Sequence, residues 1–109
     1  MSPRPTLAEI NDRFRRSFNG GEIYLTRGIA DLPPKAQAEI VMTVRCFDSF
    51  TEDNDPYGEH DFGAFDHPAA GKVFWKIDYY DPDKERGSED PLDPVKTCRV
   101  LTILLAEEY

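Results

Sequence analysis

Long apolar runs are missing from this chain of 109 residues. Its wholly apolar stretches are only a few residues each, so no membrane span of about 20 residues can form. The opening MSPRPTLAEI has no apolar leader, so no secretory signal is visible and a cytoplasmic location is expected. Basic residues are scarce: 13 Lys and Arg face 21 Asp and Glu, a formal charge of −8 and a pI near 4.6. Direct nucleic-acid binding needs Lys and Arg to displace phosphate counterions, and an anionic membrane surface makes the same demand. Neither class of partner is expected. Only two cysteines occur, Cys46 and Cys98. In a reducing compartment they read as free thiols, and their apolar neighbours make both core or near-core residues. No G-x-S-x-G, P-loop or G-x-G-x-x-G occurs, and no cofactor is implied.

The length predicts one domain over 1–109, against roughly 100–200 residues per domain. Charge is divided along the chain. Residues 1–47 hold seven basic and five acidic residues, whereas residues 48–109 hold six basic and 16 acidic. One acidic cluster is Asp48, Glu52, Asp53, Asp55, Glu59, Asp61 and Asp66, with no Lys or Arg among them. The other is Asp78, Asp81, Asp83, Glu85, Glu89, Asp90 and Asp93, diluted by Lys84 and Arg86. Such asymmetry bears on partner choice and association rate rather than on fold. In the plainest reading both clusters are solvated loops that keep the chain dispersed.

Thr6 followed by Glu9 has the capping-box pattern. Leu7, Ile10, Phe14 and Phe18 then form one apolar stripe, with Arg13, Arg15 and Arg16 mainly off it. This predicts a helix over about 6–18, stopped by Gly20 and Gly21. Residues 22–29 alternate and predict a half-buried strand. Pro33 and Pro34 lead into a second amphipathic helix over about 34–48, striped by Ala36, Ile40, Val41, Val44 and Phe47. Asp61–Asp66 reads as a short strand, residues 67–71 as a hairpin turn and Lys72–Tyr80 as the strongest strand. Residues 95–105, apolar on both faces, read as an interior strand. The expected fold class is α+β, two amphipathic helices packed on a small, mostly antiparallel sheet of about four strands.

Several chemistries compete for the polar residues. Asp53, Asp55 and Gly58 match the first, third and sixth positions of an EF-hand loop, but Tyr57 and Ala64 fail the fifth and twelfth. A different hard-cation site, for magnesium or calcium, would be made of Asp53, Asp55, Glu59 and Asp61. A zinc or other transition-metal site would draw on His60 and His67, with Glu59 and Asp61 flanking His60, though no established ligand spacing is present. Glu59, His60 and Asp61 are also the candidates for general acid–base work, yet no nucleophile accompanies them. His60 held between carboxylates would instead clasp its loop. On strand 72–80, Val73, Trp75, Ile77 and Tyr79 share one face. Phe74, Lys76, Asp78 and Tyr80 share the other, which either docks a protein or lies under a helix.

The stretch Thr51-Glu52-Asp53-Asn54-Asp55-Pro56-Tyr57-Gly58-Glu59-His60-Asp61-Phe62-Gly63 resembles the small bacterial family catalogued as domain of unknown function 3768. The resemblance continues at Phe74–Asp81, at Arg99–Ile103 with Glu108-Tyr109, and at Ile10-Asn11-Asp12-x-Phe14-Arg15. It carries no established activity and no catalytic residue. It implies a mobile-element setting, and with it an anti-defence role such as anti-CRISPR or anti-restriction. The expected function is therefore a small acidic interaction protein, free of enzyme motifs, that occupies a basic, nucleic-acid-binding surface of a protein target, its carboxylates standing in for phosphates. Its contact residues would be Glu52, Asp53, Asp55, Glu59, Asp61, Asp81, Asp83, Glu85 and Asp90, with Tyr57 and Tyr80 as apolar anchors. A metal-binding module or metal-dependent enzyme at Glu59-His60-Asp61 is the alternative, and a toxin–antitoxin-like partnership a third reading. A monomer and a homodimer paired through strand 22–29 or the C-terminal strand are both compatible with the sequence.

Overall fold

The computed structural model describes residues 5–109. Residues 1–4, which open the stretch searched for a leader, lie outside the described residues. Helix α1 spans Leu7–Ser17 and starts where expected, with the Thr6 hydroxyl accepting the Glu9 N–H at 3.2 Å. It does not run on to the glycines. Phe18 adopts the left-handed conformation (φ 60°) and its N–H returns to the Phe14 carbonyl at 2.7 Å. The ring is repaid by packing on the core and by the Arg45 guanidinium 5.2 Å from its centroid.

Strand β1 is Gly21–Leu25, shorter than the expected 22–29. A one-turn helix α2, Arg27–Ala30, replaces the rest. The cause is Glu108, whose carboxylate accepts from the Thr26 hydroxyl at 2.6 Å and the Gly28 N–H at 3.0 Å. A side chain at Gly28 would strike Leu105 and Glu108, so the close approach needs glycine. Helix α3 is Pro34–Arg45, and Phe47 is buried just beyond it. Strands β2 (Phe62–His67) and β3 (Gly71–Tyr80) form the expected hairpin. Strand β4 begins at Cys98 rather than 95, and ends at Leu105 before a 3₁₀ turn, Ala106–Glu108. Val95 is 81 % exposed, because its N–H is held in a turn by the Asp93 carboxylate.

The four strands take the order β1-β4-β3-β2. The β2–β3 and β3–β4 pairs are antiparallel, whereas β1 runs parallel to β4. The fold is α+β. Strand β4 is interior, as its two-sided apolarity requires, so it offers no free edge for dimer pairing. Both long helices cover the same sheet face. There Phe14, Ile40 and Val44 pack with Val73, Trp75, Ile77, Leu101 and Ile103. No helix among the described residues is long and apolar enough to cross a membrane.

Cys46 is exposed rather than near-core, its Sγ 3.8 Å from the Met42 sulfur, while Cys98 is half-buried. Cys46 continues the outward row of Met42 and Thr43 on α3, whereas Val44 and Phe47 face the core.

Candidate functional site

Strand β3 ends at Tyr80 and feeds the second acidic loop, 81–97. Strand β2 starts at Phe62, opposite Lys76, and receives the first acidic loop, 48–61. Because β2 and β3 are antiparallel, both loops leave the same end of the sheet. Together they hold 12 of the 21 acidic residues and three of the 13 basic ones. That is a net −9 on one end of a chain whose total is −8.

A buried polar network joins the two loops, and α1 supplies its centre. Asn11, fully buried, donates to the Glu59 carbonyl at 2.9 Å and to the Tyr79 hydroxyl at 2.8 Å. Its carbonyl accepts from Arg99 Nε at 3.0 Å. Arg99 also donates to the Pro91 carbonyl in the second loop and lies over the Tyr79 ring. The Tyr79 hydroxyl reaches Asp61 at 3.4 Å. Burial, opposed by the Asn11 hydrogen bond, raises the Tyr79 pKa well above the usual tyrosine value.

One turn on, Arg15 is also fully buried. It donates to Asp12 at 2.7 Å and to the Val44 and Arg45 carbonyls at 2.9 and 3.2 Å. A cation thus satisfies the C-terminal carbonyls of α3, where the helix dipole is negative. The guanidinium faces Trp75 and Phe50 at 5.0 and 5.5 Å. Burial lowers its pKa, and Asp12 partly restores it.

Asp12 in turn meets His60 Nδ1 at 3.0 Å. The other ring nitrogen lies 3.6 Å from Asp55, and the ring stacks on Phe50 at 3.8 Å. His60 has φ 55°, a conformation that non-glycine residues adopt rarely. Asp55 holds it there by accepting the His60 and Glu59 N–H groups.

The expected contact residues therefore fall into two sets. Glu52, Asp53, Asp83 and Glu85 are exposed, and Tyr57 stands 86 % exposed at the tip of its loop. Asp55 is turned inward, its side chain only 6 % exposed. Asp61 and Glu59 are half-buried, and so are Tyr80 and Asp81. Asp81 and Asp90 each accept N–H groups of their own loop, from Glu85 and Leu92. Burial raises the Glu59 carboxyl, and the neighbouring Asp61 and Asp55 carboxylates raise it further. Lys84 crosses to Glu22 on β1 at 2.8 Å and fastens the second loop to the sheet.

Carboxylates face the two nitrogens of His60 from different sides, so the three side chains do not converge on one point. Among the described residues, no three His, Cys, Asp or Glu side chains are grouped to hold a metal ion. The face of β3 carrying Phe74, Lys76, Asp78 and Tyr80 lies under neither long helix. Phe62, Phe74 and Tyr109 form an aromatic cluster there, with Phe74 5.4 Å from each of the other two. Asn11, Asp12, Arg15 and Arg99 belong to the site although the charge and motif patterns of the sequence do not single them out. Asn11 did carry a signal, a polar residue on the inward row of Leu7, Phe14 and Phe18.

Fold and site define a helix-backed sheet with one acidic, internally braced end. The chain belongs to the family described as protein of unknown function (DUF3768), which it matches over residues 25–108. The match begins at the end of β1, after α1. No curated protein and no solved structure matches the chain.

Proposed function

We propose that this is a non-enzymatic interaction protein that docks its acidic sheet end on a basic surface of a protein target. The observation that carries this reading is the shared anchoring of both acidic loops on Asn11, Tyr79 and Arg99. Pre-organised carboxylates lose less entropy on binding than carboxylates on free loops. They also raise the rate of encounter with a basic partner. A surface of Lys and Arg that normally grips nucleic-acid phosphates has the required chemistry. In the mobile-element setting that the family resemblance implies, the role would be anti-CRISPR or anti-restriction inhibition in the cytoplasm.

The test is capture from nuclease-treated bacterial lysate at low and high salt, with the native chain beside a Glu52→Lys, Asp53→Lys, Asp83→Lys, Glu85→Lys variant. These four residues are exposed, so the fold is spared. Asp55 is left alone because it supports the His60 loop. The expected result is a salt-sensitive partner that the variant fails to retain. A partner retained equally by the variant refutes docking through the acidic end.

A further inference from the structure

Strand β2 is a sheet edge with a groove beside it, and the groove meets the acidic end only at Asp48 and Ser49. The Ile77 N–H donates to the Asp61 carbonyl at 2.8 Å, which fixes the alternation of the β2–β3 ladder. Gly63 and Phe65 therefore exchange hydrogen bonds with β3. Phe62, Ala64 and Asp66 turn their N–H and C=O groups outward. No other backbone or side-chain hydrogen bond among the described residues uses those groups. Protected edges carry lysine, proline or a bulge. Strand β2, FGAFDH, has neither lysine nor proline and pairs with β3 in unbroken register.

Between this edge and α3 runs an open groove of about 470 Å³, lined by Met42, Cys46, Phe47, Asp48, Ala64 and Phe65 among others. Met42 is 54 % exposed, a large apolar side chain left in water at its rim. An open edge flanked by an apolar groove is the geometry that accepts an extended segment as an added strand. Backbone hydrogen bonds supply affinity there and alternate side chains enter the groove. Charge selects the occupant. Asp48 lies in the groove, Asp66 lies on the strand, and the loop feeding β2 has six carboxylates and no Lys or Arg. A second copy would bring another formal −8 against this edge.

We infer that β2 takes, as a fifth strand, an extended segment of a protein partner in which apolar residues alternate with Lys or Arg. This goes beyond docking at the acidic end, because the contact is made by backbone and groove.

The probe is a synthetic peptide of about ten residues alternating Leu or Val with Lys, a length that spans an ordinary strand. It is followed by amide hydrogen exchange and calorimetric titration. Added peptide should protect the Phe62, Ala64 and Asp66 amides. Ala64→Pro removes an outward N–H without touching the β3 ladder, so the fold should survive, as its melting curve will show. Binding to that variant should weaken about tenfold, the value of one net hydrogen bond. Met42→Lys, at an exposed position, should weaken it as well. Equal binding by both variants overturns the proposal, as does equal binding of a Ser–Lys peptide or protection confined to residues 48–61 and 81–97. A light-scattering mass of twice 12.5 kDa without peptide, abolished by Ala64→Pro, overturns it in favour of a second copy. The four-residue charge-reversal variant leaves Ala64 and Met42 intact, so failure of the acidic-end reading and failure of this one are separable.

Discussion

Removing the Asn11 amide is the sharpest test of the braced end. Asn11→Ala deletes hydrogen bonds to the Glu59 carbonyl, the Tyr79 hydroxyl and Arg99 Nε at 2.9, 2.8 and 3.0 Å. Each neutral bond contributes about 1 kcal/mol net, and a bond to a charged group about 1.5–3. The Arg99 bond falls in the second class because the guanidinium is charged, and it is 3 % exposed with the Pro91 carbonyl as its one other acceptor among the described residues. The sum is about 4 kcal/mol, a large part of the roughly 5–15 kcal/mol that holds such a domain together. The expected result in urea is a lower midpoint at unchanged m, and a Tm reduced by about 15–25 °C. Amide exchange at Glu59 and His60 should rise more than at β4, since the loop loses its tie while the sheet keeps its pairing. Asn11→Asp keeps an acceptor for Arg99 but loses the donor to Glu59, and should fall between the two. A loss below about 1 kcal/mol for Asn11→Ala would refute the network as a structural tie.

Three further outcomes follow from the same geometry. Gly63→Ala would place a methyl inside contact distance of the Trp75 indole and 2.9 Å from Phe47, so urea unfolding should show a loss of about 1–3 kcal/mol, and an unchanged midpoint contradicts this packing. Glu59 has its pKa raised above the ordinary 4.5, first by burial and then by Asp61 and Asp55. Its neutral form therefore adds stability that is full below that ordinary value and lost as pH rises through the raised one. Glu59→Gln should be more stable than the native chain near pH 7, with the gap closing below about pH 4; a pH-independent gap disproves the assignment. Zn²⁺, Mn²⁺ and Ca²⁺ should leave the melting temperature unchanged, because His60 meets its carboxylates on different sides; a concentration-dependent rise would restore the metal reading.

What the sequence made legible was periodic, and what it hid was long-range. The stripe through Leu7, Phe14 and Phe18, the alternation of residues 72–80 and the two-sided apolarity of residues 100–104 each state burial locally. They place α1, β3 and the interior β4 with small errors at their ends. A parallel β1–β4 pair joins residues about 78 positions apart, and no local pattern announces it. Arg15 lies off the apolar stripe and is nonetheless fully buried, because its acceptors come from α3 and from Asp12. His60 finds Asp12 across 48 positions, so the loop motif around Glu59-His60-Asp61 could be seen while its supporting partner could not.

The acidic residues divide by the same logic. Their number is plain from composition, but composition does not tell a carboxylate that shapes its own loop from one that faces a partner. Asp55, Asp81, Asp90 and Asp93 each accept N–H groups within five positions along the chain. Those bonds give the turns their shape, and neutralising any of the four should cost stability before it costs binding. Glu52, Asp53, Asp83, Glu85 and Glu89 are exposed, and their side chains accept no hydrogen bond among the described residues. Neutralising these should cost association rate and leave stability nearly unchanged. The negative charge that makes the chain unusual thus has two sources, one required by the fold and one left over for a partner. Only the second set gives a clean measure of function.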